Sequence, residues 1–200
     1  MQDLSELNPG LILIKKLISM GGKPLGYGST RVVIDMGNFV YKIEYHYSPF
    51  NSVNLSEFNY YSYFNGEIEI NGIEHYGDII ECDHPLLLAK CELVKIDGIV
   101  VLKMEKVRPI SFKSNLYDGA YDIIDGGQIG LNSAGEVVCY DYGSLPNIIT
   151  DVHQIPNMPD FGIHGDFSYN VNFDELFKLG FVPSYGANYG KAVNHLEPVL

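Results

Sequence analysis

The chain of 200 residues has no tryptophan, only three cysteines, and 13 lysines and arginines against 25 aspartates and glutamates. Each scarcity excludes something. A formal charge of −12 leaves no broad basic surface, so nucleic acid is not expected as a partner, because binding it requires cations set against phosphates. Cys82, Cys91 and Cys139 are odd in number and lack CxxC spacing. Neither a disulfide framework nor a zinc site is therefore suggested, and the three read as small buried or half-buried thiols of a reducing cytoplasm. Long hydrophobic runs are also missing. The stretch GLILIKKLISM, residues 10–20, is interrupted by Lys15 and Lys16 and is too short to span a bilayer, and no charged leader precedes it, so no membrane association is expected. Internal repeats and low-complexity linkers are absent as well. With 46% hydrophobic residues, the chain can bury a sizeable core, and its length favours one domain with room for two lobes.

What is present is a series of short elements. Asn8 and Pro9, followed by Leu11, Ile12, Ile14, Leu17 and Ile18, predict a helix that Gly21 and Gly22 end. From Leu25 to Tyr45, β-branched and aromatic residues around Asp35-Met36-Gly37-Asn38 predict two antiparallel strands and a turn. The following NLSEFNYYSYFNG predicts a second helix, capped by Asn54 or Ser56, with Leu55, Phe58, Tyr61 and Phe64 on one face and its end at Asn65-Gly66. Residues 68–88 fit no single pattern. Asp97-Gly98 between two alternating runs predicts a hairpin of Cys91–Ile96 with Ile99–Glu105, and Ser133-Ala134-Gly135 predicts another between QIGL and EVVCYDYG. Beyond Gly143 the composition turns to Pro, Asn, Asp and Gly, with one short helix expected in NFDELFKLGF.

This order of helix, glycine-bearing hairpin, strand lysine, helix glutamate, hairpin, and hairpin ending in Asp141-Tyr142-Gly143 resembles the protein-kinase fold. The resemblance implies an α+β protein: an N-lobe of antiparallel sheet plus helix over residues 1–108, then a strongly reduced C-lobe over 109–200 with a hairpin at 128–143 and an irregular tail. It also implies roles. Gly26 and Gly28 match the first two glycines of the phosphate-covering turn, Arg31 stands in place of the third, and Val33 or Val32 stands for the valine that follows. Lys42 matches the strand lysine and Glu57 its helix partner. Met104, Glu105 and Lys106 take the place of the adenine-binding hinge. Asp141 of Asp-Tyr-Gly matches the magnesium ligand, and Gln128 stands where the family has a second, asparagine ligand. ATP and Mg2+ are the cofactors this resemblance implies.

The departures carry equal weight. The place of the catalytic aspartate is taken by Ile123, leaving Asp122 and Asp125 on either side as candidate bases. About two dozen residues separate the hinge from Gln128, too few for the helices that floor a full C-lobe. The resemblance covers Leu25 to Gly143 and leaves residues 144–200 unexplained. Within them, HGDFSYN, residues 164–170, is similar to the His-Gly-Asp loop of small-molecule phosphotransferases, although its order relative to Asp-Tyr-Gly is reversed. Short kinase-like proteins of tailed bacteriophages read in the same way, which implies a viral protein of the host cytoplasm or the virion. The resemblance and its departures fit three functions: a pseudokinase that docks on a host or viral protein, with weak or no nucleotide binding; a minimal active Mg-ATP phosphotransferase; and a virion structural component.

Overall fold

The computed structural model describes residues 9–28, 30–44, 46–47, 52–69, 73–75, 78–80, 84–111, 113–118, 121, 128–142, 167–168 and 173–182. In chain order the elements are α1 (Pro9–Ser19), β1 (Lys23–Tyr27), β2 (Arg31–Asp35), β3 (Phe39–Glu44), β4 (His46–Tyr47), α2 (Val53–Tyr63), β5 (Glu67–Ile68), β6 (Ile73–His75), β7 (Asp78–Ile80) and β8 (Leu86–Leu87). They continue with β9 (Cys91–Ile96), β10 (Ile99–Glu105), β11 (Arg108–Pro109), β12 (Ile129–Leu131), β13 (Val137–Cys139), β14 (Phe167–Ser168) and α3 (Phe173–Lys178). The fold is α+β. Its largest sheet has five strands in the order β1-β2-β3-β10-β9. Among the described residues no helix is long and apolar enough to cross a membrane.

The chain forms two compact units, each built from separate stretches: Met1–Ser52, Leu93–Lys103 and Phe161–Leu200 in the first, Val53–Glu92 and Met104–Asp160 in the second. In the first, α1 turns its buried Leu13, Ile14 and Leu17 toward Val32, Ile34, Ile43 and Val101 of the sheet. The helix ends as its glycines require: the Gly21 N–H donates to the Ile18 carbonyl at 2.9 Å and the Gly22 N–H to that of Leu17 at 3.0 Å. Leu176 of α3 and the following Phe181 complete the same core. The region beyond Gly143, expected to be an irregular tail, thus supplies part of the central packing. Its Phe167 and Ser168 also pair with Tyr47 and His46 as β14 on β4.

The single hairpin expected between Leu25 and Tyr45 is three strands. β1 pairs antiparallel with β2, with a register shift between Pro24 and Gly26 that leaves Leu25 out of the ladder, and β2 pairs with β3 from Arg31↔Glu44 to Asp35↔Val40. A proline and a bulge are tolerated because β1 lies at the sheet edge. The Asp97-Gly98 hairpin forms as expected, both residues taking positive φ, 50° and 87°, the signature of the tight turn that matches strand twist. Asp97 also accepts both contacts from the Lys16 ammonium, at 2.9 and 2.7 Å.

In the second unit, α2 begins after Ser52, so neither Asn54 nor Ser56 caps it; both lie inside the helix. Its buried residues are Asn54, Leu55, Glu57 and Tyr60 rather than the expected aromatic stripe. Phe58, Tyr61 and Phe64 are only half-buried. The stretch that fitted no pattern contains the short pairs β5 with β8 and β6 with β7. β11, β12 and β13 form a three-stranded antiparallel sheet that includes the expected third hairpin.

Candidate functional site

Alternation along β2 and β3 divides their residues into two sets. Val32, Ile34 and Ile43 enter the apolar core. Arg31, Val33 and Asp35 point the other way, and by cross-strand register Glu44, Lys42 and Val40 lie beside them. β1 extends the row, since Gly26 pairs with Val33. Gly26, Val33 and Lys42 therefore stand side by side across three strands on one face. This places Val33, not Val32, next to the lysine.

Arg31, Asp35, Lys42 and Glu44 are all buried, Lys42 with 4% of its surface exposed. Charges out of water must be compensated, and this face holds two cations and two carboxylates. Some of the compensation is explicit. The Ser52 hydroxyl donates to Glu44 Oε2 at 2.7 Å, and the Gly37 N–H donates to Asp35 Oδ1 at 2.8 Å. Neither Arg31, Asp35 nor Glu44 was singled out for charge chemistry from the sequence, where strand alternation in RVVID and FVYKIE was the available signal.

The glycine segment has its own donors and uses them internally. The Gly28 N–H donates to the Arg31 carbonyl at 2.8 Å, closing the β1–β2 turn, and the Tyr27 N–H donates to the Val182 carbonyl at 3.0 Å. The same Val182 oxygen lies 3.3 Å from where a Cβ on Gly26 would be. The room that the missing side chain leaves is filled by backbone of this chain. A phosphate approaching Gly26 needs free N–H groups and open space; it would meet a carbonyl oxygen instead. In this arrangement the segment does not fit the phosphates of ATP.

In the second unit Glu57 is fully buried on α2, and its Oε1 accepts the Tyr142 N–H at 3.2 Å. The helix glutamate and the Asp-Tyr-Gly motif, 85 positions apart in sequence, are thus in contact. Tyr142 is itself buried, with its hydroxyl donating to the Ala89 carbonyl at 2.8 Å and meeting Cys91 Sγ at 3.2 Å. Asp141 follows β13 and is half-buried, as is Gln128 just before β12; the Tyr140 N–H donates to the Gln128 carbonyl at 3.0 Å. Among the described residues no group of three or more His, Cys, Asp or Glu side chains is placed to hold a metal ion. On β10, Met104 is buried, and the Glu105 N–H donates to the Lys90 carbonyl at 2.8 Å while its Oε1 accepts the Lys90 N–H at 2.7 Å. Lys42 belongs to the first unit and Glu57 to the second. Asp122, Asp125 and Asp166 lie outside the described residues, as does Cys82, whereas Cys91 and Cys139 are buried free thiols.

Burial, reinforced by Cys91 and Glu57, pushes the Tyr142 hydroxyl well above the ordinary tyrosine value of 10.0, and burial raises the Cys139 thiol as well. The unfolded chain sheds these protons at lower pH than the folded one. Their contribution to stability is therefore complete below the ordinary values and is lost as pH rises above them. Denaturant titrations across alkaline pH are expected to show stability falling from about pH 9 upward, in the range of free thiols and phenols. Tyr142→Phe should flatten that fall. With fifteen tyrosines in the chain, the difference in tyrosinate absorbance between the parent and Tyr142→Phe isolates the ionisation of Tyr142. A stability that rises through this range would overturn the assignment.

No protein-family model matches this chain, and no curated protein or solved structure does.

Proposed function

We propose that the protein is a kinase-like scaffold of the pseudokinase type, acting as a protein-binding module with little or no nucleotide binding. The observation that carries it is the use of the glycine segment: Tyr27 and Gly28 give their N–H groups to carbonyls of the chain itself, and Val182 fills the gap at Gly26. Two placements support the kinase-like part of the reading. Gly26, Val33 and Lys42 share one row of one sheet face, and Glu57 is hydrogen-bonded to the Asp-Tyr-Gly segment. The family's chemistry would use Lys42 at the phosphates and Asp141 with Gln128 at magnesium, with Met104 and Glu105 flanking adenine. Here Lys42 belongs to a buried, charge-balanced face, which supports a structural role for the same residues.

Docking on another protein is supported by what lies outside. Phe177 of α3 is 68% exposed and Met20, at the end of α1, 64% exposed. A formal charge of −12 favours a partner with a basic face. The missing base adds to the case against catalysis, since Ile123 can neither accept a proton nor orient a hydroxyl. Incubation of the full chain with γ-labelled ATP and a generic protein substrate is expected to give no transfer above background. A labelled band that disappears in both Lys42→Ala and Asp141→Ala would establish the phosphotransferase instead.

A further inference from the structure

The five-stranded sheet ends on β1 at one side and on β9 at the other, and the two edges are built differently. β1 carries a proline, a glycine and a register shift, and the Val182 carbonyl closes on it through the Tyr27 N–H. These are devices that keep an edge from recruiting further strands. β9, CELVKI, has six residues with neither proline nor glycine, and among the described residues no strand pairs with its far side. Its pairing with β10 fixes which backbone groups lie on that side. The Asp97-Gly98 turn sets Ile96 opposite Ile99, and the Glu105 N–H donates to the Lys90 carbonyl, so one unbroken antiparallel register runs from the turn to Lys90. Lys90, Glu92, Val94 and Ile96 therefore turn their N–H and C=O groups to β10. Leu93 turns its own outward, where no group of the described residues meets them.

We propose that the outward edge of β9 docks an extended segment of a partner protein, taken up as a further antiparallel strand. This rests on the reading of the protein as a binding module and names the surface that binds. Main-chain pairing supplies the attachment, and the side chains around Leu93 supply the choice of partner. Exposed Glu92 lies on the sheet face shared with Val94 and Ile96, which pack toward the core, and exposed Lys95 lies on the opposite face with Leu93. An antiparallel segment that complements both charges therefore reads, from its N-terminus, acidic, apolar, apolar, basic, with its acid opposite Lys95 and its base opposite Glu92. A second folded copy cannot provide this order from its own β9. There Glu92 is turned to β10, so two copies meet only through odd-numbered positions, and Glu92 never falls opposite Lys95. The formal charge of −12 further favours a segment set in basic surroundings.

Amide exchange followed by NMR in the full chain tests the edge, with the capped peptide Thr-Glu-Val-Val-Arg-Thr and its charge-reversed form Thr-Arg-Val-Val-Glu-Thr as probes. In the free protein the Leu93 amide is expected to exchange about tenfold or more faster than that of Val94, which donates to β10. The first peptide should slow Leu93 exchange saturably, and the reversed one should bind about tenfold more weakly. Leu93→Pro removes the central outward donor, and an edge strand tolerates proline where the N–H faces away from its neighbour. Leu93→Ala shortens the same side chain and keeps the donor. Leu93→Ala is expected to bind within about fivefold of the parent, and Leu93→Pro to lose binding while the Val94 amide stays protected. Should Leu93→Pro fail to fold, protection of Leu93 in the parent and the contrast between the two peptides decide. No protection at millimolar peptide, or undiminished binding by a folded Leu93→Pro, overturns the docking edge. Equal binding of the two peptides overturns the partner chemistry assigned to it. The module reading is tested separately by phosphotransfer, which does not involve β9, so its failure and that of the edge are distinguishable.

Discussion

Phe181→Ala is expected to destabilise the protein by about 3–5 kcal/mol, the range for truncating a buried aromatic side chain. Phe181 has no exposed surface and packs in one cluster with Leu13, Ile14 and Leu17 of α1 and Val32, Ile34, Ile43 and Val101 of the sheet. Leu176→Ala, in the same cluster, is expected to cost about 2–5 kcal/mol. Domains are commonly stable by only about 5–15 kcal/mol, so the two substitutions together, or a chain ended at Asp160, should leave the first unit unfolded. Phe177→Ala is the control. Its side chain is 68% exposed, and the change should fall within about 0.5 kcal/mol. Equilibrium denaturation of the three point variants checks the pattern. Full stability after loss of residues 161–200 would show that the last stretch is an appendage, contrary to its place in the core.

The second large effect is expected at Glu57. Removing a carboxylate that is fully buried and accepts the Tyr142 N–H leaves that donor without its partner, at a cost of about 1–3 kcal/mol, and opens a cavity besides. Glu57→Ala is expected to lose both terms. Glu57→Gln keeps an oxygen acceptor of the same reach and should lose markedly less. The amide of Tyr142 is the local reporter: its hydrogen exchange should accelerate in Glu57→Ala and stay close to the parent in Glu57→Gln. Equal destabilisation by the two variants would mean that the charge of Glu57, not its bond to Tyr142, is what the fold uses.

Legibility in the sequence followed the range of the interaction. The hairpin at Asp97-Gly98 and the first helix were readable because their signals are local: two residues able to take positive φ between alternating runs, and a proline at the start with glycines at the end. β1 was not readable as a strand, since KPLGY contains a proline and a glycine that local rules assign to turns and only its edge position permits. The buried side of α2 differs from the expected stripe for another reason. Asn54 and Glu57 are buried there, and hydrophobic spacing cannot anticipate a buried polar residue such as Glu57, whose partner Tyr142 lies far along the chain. The contribution of Leu176 and Phe181 was hidden in the same way, because their partners on α1 and on β2, β3 and β10 lie far earlier in the chain. For the site, the row of Gly26 and Lys42 could be placed by order of elements. The Val182 carbonyl beside them could not, since any residue carries one.

Calorimetric titration of the full chain with Mg-ATP tests the central claim most directly. With the Tyr27 and Gly28 donors already paired within the chain and Val182 beside Gly26, the expected result is no saturable heat at submillimolar nucleotide. Saturable one-to-one binding in that range, abolished by Asp141→Ala, would contradict it.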